Sequence, residues 1–158
     1  QGLLDAVRRA GARNVVIAGG LDWGYDLSGV VGGYALQERT GGNGIVYSSH
    51  IYPWKSNWQR NTLDAAAKYP VFVGEVGCPE SYKGFEFIPP SGRHPLEGWP
   101  RDMLATIQKH KLNWTGFSFH PTCGPSVISD WNYTPTPHWG AYVKEALSGK
   151  QFELKKMR

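Results

Sequence analysis

The sequence predicts an α/β fold built on a parallel sheet. Three observations carry that prediction. Short apolar runs of strand length alternate with segments of helical periodicity along the chain. The runs are short and mostly apolar, as buried strands are. The loops that follow the runs are long and rich in Gly, Pro and aromatic residues, whereas "GARN", "GGNG" and "KHKLN" on the opposite side are short and polar.

The elements follow in order. Leu3, Leu4, Val7 and Ala10 recur at helical spacing over residues 2–11, and Gly11 is a stop. "NVVIAGG" predicts a first strand over 14–18, and "LDWGYDLSGV" a loop. Gly32 and Gly33 make "VVGGYALQERTGG" a weak helix. "NGIVYSSHIYPW" predicts a strand over about 44–49 that runs into a polar and aromatic cluster. "NWQRNTLDAAAKY" reads as a helix capped near Ser56 or Asn57. "PVFVGE" is the third strand, followed by a long Pro- and Gly-rich loop of the length that usually carries function. "PRDMLATIQKHK" predicts a helix with Pro100 in its first turn. "NWTGFSFHP" is the fourth strand, an aromatic loop follows, and "GAYVKEALSG" is the last helix. Such a chain closes either as an open sheet covered on both faces or as part of a (β/α)₈ barrel. In both, the loops after the strands share the ligand-binding face.

Length and composition fit one domain over residues 1–158, with "ELKKMR" in a basic, solvated tail over about 150–158. The chain opens on Gln1 inside a helix, which reads as a segment of something longer or a processed product, and no signal peptide is visible. A net charge of +4 is diffuse and forms no stripe for a phosphate backbone, so no nucleic-acid partner is expected. No run is long enough to span a membrane. The His residues lack metal-ligand spacing and no phosphate loop occurs, so neither metal nor cofactor is expected. Cys78 and Cys123 follow similar runs and would meet if those strands are neighbours, but two free thiols are the default reading. Seven Trp and eight Tyr are unusual. Trp23, Tyr25, Trp54, Trp58, Trp99, Trp131, Tyr133 and Trp139 fall in loop-like segments; any one of them reads as a large ring covering the core edge, and as a set they suggest a surface for flat sugar rings.

The chemistry concentrates at strand ends. "YPVFVGEVGCPE" is an apolar run that ends on Glu75, and a charge there must be used or paired. An ionised Glu75 could attack an anomeric carbon. His50 and Tyr52, two apart, fall on one strand face, and Tyr52 could donate to Glu75 and keep it ionised.

"GIVYSSHIYPW", then "YPVFVGEVG", then "WTGFSFHP" resembles the second half of family 5 glycoside hydrolases, the cellulase-like members of the retaining (β/α)₈ clan. The resemblance covers essentially the whole chain. It implies half of a (β/α)₈ TIM barrel, four parallel strands corresponding to strands five to eight, starting at the helix after strand four. It implies His50 and Tyr52 as the His-x-Tyr pair of strand six and Glu75 as the strand-seven nucleophile. "NVVIAGGLDWGYDL" is similar to strand five and its loop, with Trp23 lining the cleft; Trp54, His120 and Trp131 complete the expected sugar contacts. The family's acid/base, a Glu after Asn at strand four, has no counterpart, because no Asn-Glu pair occurs, and an expected early Arg is absent too. The strand-eight Trp is replaced by Phe119 or His120. Glu80, Asp22, Asp26 or a partner's carboxylate would then serve as the acid. The implied substrate is β-1,4-glucan, the implied setting extracellular, and a homodimer or higher assembly would close the barrel by pairing edge strands. A non-catalytic carbohydrate-binding half-barrel or an inactive fragment is the alternative.

Overall fold

The computed structural model describes residues 1–158. Four parallel strands form one sheet: β1 (Val16–Gly19), β2 (Ile45–Ile51), β3 (Val71–Val76) and β4 (Asn113–Gly116), in the order β1-β2-β3-β4. Spatial order equals chain order, the sign of successive βα units. Val16 pairs with Ile45 and Gly19 with Ser48. The helices are α1 (Gly2–Arg9), a short turn α2 (Leu21–Gly24), α3 (Asp64–Ala66), α4 (Trp99–Lys109) and α5 (Gly140–Leu147).

The chain divides into two compact units. The first comprises residues 1–50 and 59–72. Its core is Leu27, Tyr47, Ala65 and Val71, with Val30, Val31 and Ile45 packed around them. Helix α1 buries Leu4 and Arg8 on one face and ends at Gly11, whose φ of +85° suits a glycine stop. The buried Arg8 guanidinium pairs with Glu38 at 2.7 Å and donates to the carbonyls of Ala12, Asn14 and Gly44. That bond from Arg8 holds the Glu38 carboxyl below the usual carboxylate range. Two expectations shift here. β1 starts two residues late, at Val16, and β2 runs on to Ile51. The single helix expected over 57–69 is instead a π-turn, Gln59–Leu63, leading into one turn of α3. The cause is competing bonds: Asn61 gives its carbonyl to Leu27 N–H, and buried Thr62 exchanges a 2.8 Å hydrogen bond with Ser49. On the outer strand β1, Ile17 is 58% exposed, and Leu3 of α1 is exposed as well.

The second unit comprises residues 51–58 and 73–158. Trp58, Trp99 and Trp139 are fully buried, with Val73, Val76, Met103, Leu104 and Ile107. Their rings meet edge to face, Trp58 on Trp99 at 6.0 Å and Trp99 on Trp139 at 6.4 Å. For these three the core-cover reading holds, and they are not part of the surface that the aromatic set suggests. Each removes roughly 150–250 Å² from water, worth about 4–6 kcal/mol, so burial wins over display. β4 is shorter than expected, because Phe117 N–H still bonds Val76 but the Ser118 amide turns to Pro125.

Most of the basic tail is exposed, but its last residue is anchored on α4. Asp102 on α4 is 1% exposed and accepts from Arg158 at 3.0 Å, from Arg101 at 3.1 Å and from the Lys155 amide at 3.1 Å. Arg158 also donates to the carbonyls of Pro95 and Glu97, and its own carbonyl receives the Trp58 N–H. Gln108 closes the segment by bonding Lys150 and Phe152. A buried carboxylate needs cations, and the tail supplies one. Cys78 is buried and Cys123 exposed, and both are free thiols. Burial pushes the Cys78 thiol up to about 12.

Burial alone would raise the Asp102 carboxyl, but the Lys155 amide, Arg101 and Arg158 outweigh it and hold it below its ordinary value. Its stabilisation is therefore complete above about pH 4 and drains as pH falls toward and through the folded value. Replacing Asp102 by Asn should cost about 3 kcal/mol at neutral pH. It should also shrink the loss of melting temperature between about pH 7 and about pH 3, read by calorimetry. A thiol reagent should modify one cysteine quickly, Cys123, and the second only after denaturation.

Candidate active site

Strand ends supply the polar groups. Along β3, Val71 and Val73 are buried, and Glu75 follows them on the same face at the strand's carboxyl end, where it is half-buried; Val76 is buried on the other face. Tyr52 follows β2 directly and donates its phenolic O–H to Glu75 Oε2 at 2.5 Å. This is a short, charge-assisted bond. Burial first, and then the bond to Glu75, pushes the Tyr52 hydroxyl well above the ordinary phenol value. Tyr52 is thus a fixed proton donor to the carboxylate.

Rings hold Tyr52 in place. The Trp54 indole lies parallel to it, 1° between planes and 4.7 Å between centroids. Phe117, just past β4, meets it edge-on at 6.3 Å. Phe85 and Phe87 of the long loop after β3 pack on Trp54 at 5.6 and 6.2 Å. Phe87 remains 72% exposed. The close approach of the two strand ends depends on Gly77, where a Cβ would lie 2.6 Å from the Phe117 carbonyl oxygen.

Trp54 lies with one face against Tyr52. The aromatic that meets Tyr52 from the fourth strand is Phe117, whereas Phe119 and His120 project further along the loop against Tyr133 and Trp131. Phe85, Phe87 and Phe117 were missed in the sequence reading. The i, i+2 spacing in "FEF" was the available signal for the first two.

Among the candidate acids, Glu80 is exposed, and its charge opposes the burial that lowers the His138 imidazole pKa. Asp22 and Trp23 of the first unit lie in the turn Leu21–Asp26, closed by reciprocal backbone bonds at 3.0 and 2.8 Å. Both adopt left-handed backbone, and Trp23 is 89% exposed. Gly24 lets this turn lie on His50, because a Cβ there would come 2.9 Å from the imidazole Nδ1. Burial would raise Asp26, but the Ser28 hydroxyl and amide and the Arg60 charge bring it below its ordinary value.

A separate cavity of about 150 Å³ lies by the packed tail, bounded by Lys55, His94, Lys156 and Arg158, and does not include Glu75. No group of three His, Cys, Asp or Glu is arranged to hold a metal ion.

Comparison with curated proteins gives no match. Among solved structures, the β-glucanase SdGluc5_26A from Saccharophagus degradans in complex with cellotetraose superposes with a TM-score of 0.74 at 26% identity. The match covers 93% of this chain and 45% of that one. Its native form gives 0.68 at 27% identity, over 85% and 41% of the two chains. A cellulase–inhibitor complex shares the fold at 17% identity and a TM-score of 0.51, over 78% of this chain and 36% of that one. The chain thus spans less than half the length of these proteins, and its four βα units are half of a (β/α)₈ barrel. Residues 1–122 match the family described as Cellulase (glycosyl hydrolase family 5). The chain belongs to glycosyl hydrolase family 5.

Proposed function

We propose that this chain carries the nucleophile side of a retaining β-1,4-glucanase, with Glu75 as the nucleophile. The observation that supports this most is the 2.5 Å bond from Tyr52, which fixes the Glu75 carboxylate at the end of β3 in position for attack. The similar β-glucanase holds cellotetraose, which supports a glucan as the substrate.

In the proposed reaction a Glu75 oxygen attacks the anomeric carbon. The glycosidic C–O bond breaks, and the leaving oxygen takes a proton from an acid. Water then attacks the same carbon, gives its proton to the conjugate base of that acid, and so breaks the bond to Glu75 and restores both groups. Retention needs the two carboxyl groups about 5–5.5 Å apart. We infer that the acid comes from a complementary half-barrel, either a second copy or four further βα units, with Glu80, Asp22 and Asp26 as the alternatives within the chain. The exposed Ile17 on edge strand β1 supports such a partner, because an unpaired apolar edge invites pairing. His50 and Trp23 are proposed sugar contacts, as are His120 and Trp131, and Trp54 is a positioning residue for Tyr52. Polymeric glucan does not cross membranes, so an extracellular setting fits this reading.

Soluble β-1,4-glucan assayed for new reducing ends provides the test. Glu75→Gln should lower turnover by about a thousand-fold or more. Tyr52→Phe should lower it by about ten- to a hundred-fold, with KM little changed. Activity that survives Glu75→Gln would remove this residue from the mechanism, and sugar binding without any turnover would favour a carbohydrate-binding half-barrel. Sedimentation should give a species of twice the chain mass or more if a second copy completes the barrel, and a strict monomer would leave only the four-further-unit version.

A further inference from the structure

The cavity beside the last residues lies within the second unit and is separate from Glu75. Three segments wall it: the turn after β2 with Lys55 and Ser56, the loop before α4 with His94, and the tail with Lys156 and Arg158. No Asp or Glu side chain lines it. Its volume, about 150 Å³, is below the roughly 300–1,000 Å³ of pockets that take drug-sized ligands. It suits a small ion with its water and not a sugar chain.

Charge gives such an ion a reason to enter. The enclosed carboxylate here, Asp102, is shared between Arg101 at 3.1 Å and Arg158 at 3.0 Å. With Lys55 and Lys156 in the cavity wall, four cations stand against that one carboxylate. Arg158 spends its terminal nitrogens on Asp102 and on the carbonyls of Pro95 and Glu97, while its buried Nε has no acceptor. The guanidinium charge is therefore only partly compensated. The loop over residues 117–135 is the opposite case. Its only charged residue is Asp130, whose carboxylate accepts the Asn132 and Thr134 N–H groups at 2.8 and 3.2 Å.

The walls are held before any ligand arrives. The Lys55 N–H bonds the Tyr52 carbonyl at 2.9 Å, and the Lys55 carbonyl accepts the Trp58 indole N–H at 3.3 Å. The Trp58 amide bonds the Arg158 carbonyl at 3.0 Å, and the His94 carbonyl accepts the Tyr82 hydroxyl at 2.8 Å. Lys156 is exposed and free to turn onto a ligand. Donors that converge from three segments match a tetrahedral oxyanion, which presents acceptors in every direction and carries more charge than a carboxylate. A nucleic-acid strand would need a stripe of cations, and this cluster is confined to one recess.

We propose that this cavity binds a small inorganic oxyanion of the phosphate or sulfate type, which ties the tail to the turn after β2. The site is independent of the glucanase reading.

Isothermal titration of the full chain with sodium phosphate and sodium sulfate, at about pH 7 in a sodium chloride background, provides the test. Both anions should bind saturably, and sodium acetate about ten-fold more weakly. Lys156→Glu should weaken phosphate binding by about ten-fold or more, whereas Lys156→Arg should retain it. Arg158 stays unchanged in these variants because it also holds Asp102. Melting temperature gives a second reading: phosphate should raise it more in the parent than in Lys156→Glu. Salting-out acts on both chains alike, so equal rises in the two would overturn the site. Acetate binding as tightly as phosphate would overturn the oxyanion assignment.

Discussion

A carboxylate at the mouth of an apolar strand has to be solvated by something, and in this protein a phenol does it. The Tyr52–Glu75 bond reconciles a β3 interior of Val71, Val73 and Val76 with an acid at its end. Its geometry is over-determined. Trp54 lies flat on the Tyr52 ring, Phe117 meets its edge, and Phe85 and Phe87 brace Trp54. Each ring restricts the next, so the hydroxyl has little freedom to leave the carboxylate. The same packing explains why some aromatics near the site are clamps, while others further along the loop remain exposed.

A second buried carboxylate, Asp102, plays a purely architectural part. It gathers Arg101, Arg158 and the Lys155 amide, and so fastens the last residues of the chain to α4 beside the buried Trp58–Trp99–Trp139 stack. The two acids differ in what surrounds them. Glu75 receives a neutral donor at a half-buried strand end, whereas Asp102 is enclosed and neutralised by guanidinium groups. Charge compensation of the second kind suits stability, and the first suits chemistry.

Much of this was legible in the sequence, for a local reason. β3 and α4 carry their signals within a few residues: an apolar run bounded by Pro70 and the Gly74-Glu75 pair, and a helical stripe opened by Pro100. The Tyr52–Glu75 bond followed from two strand ends in sequential units. What escaped depended on distant partners. Nothing near "ELKKMR" announces that Arg158 meets Asp102, and nothing near Trp58, Trp99 or Trp139 announces that they meet each other. The cap near Ser56 or Asn57 suggested an ordinary helix, but tertiary bonds from Asn61 to Leu27 and from Thr62 to Ser49 drew the chain into a wider turn. A single sequence displays periodicity and punctuation, while the pairing of groups fifty residues apart emerges only on folding.

The neutrality of the loop between Phe117 and Pro135 has an environmental consequence. Its lone anion is consumed by its own turn, so ionic strength has almost nothing there to screen. Contacts made through bare rings should hold in brine as well as in fresh water, and salting-out anions should strengthen them.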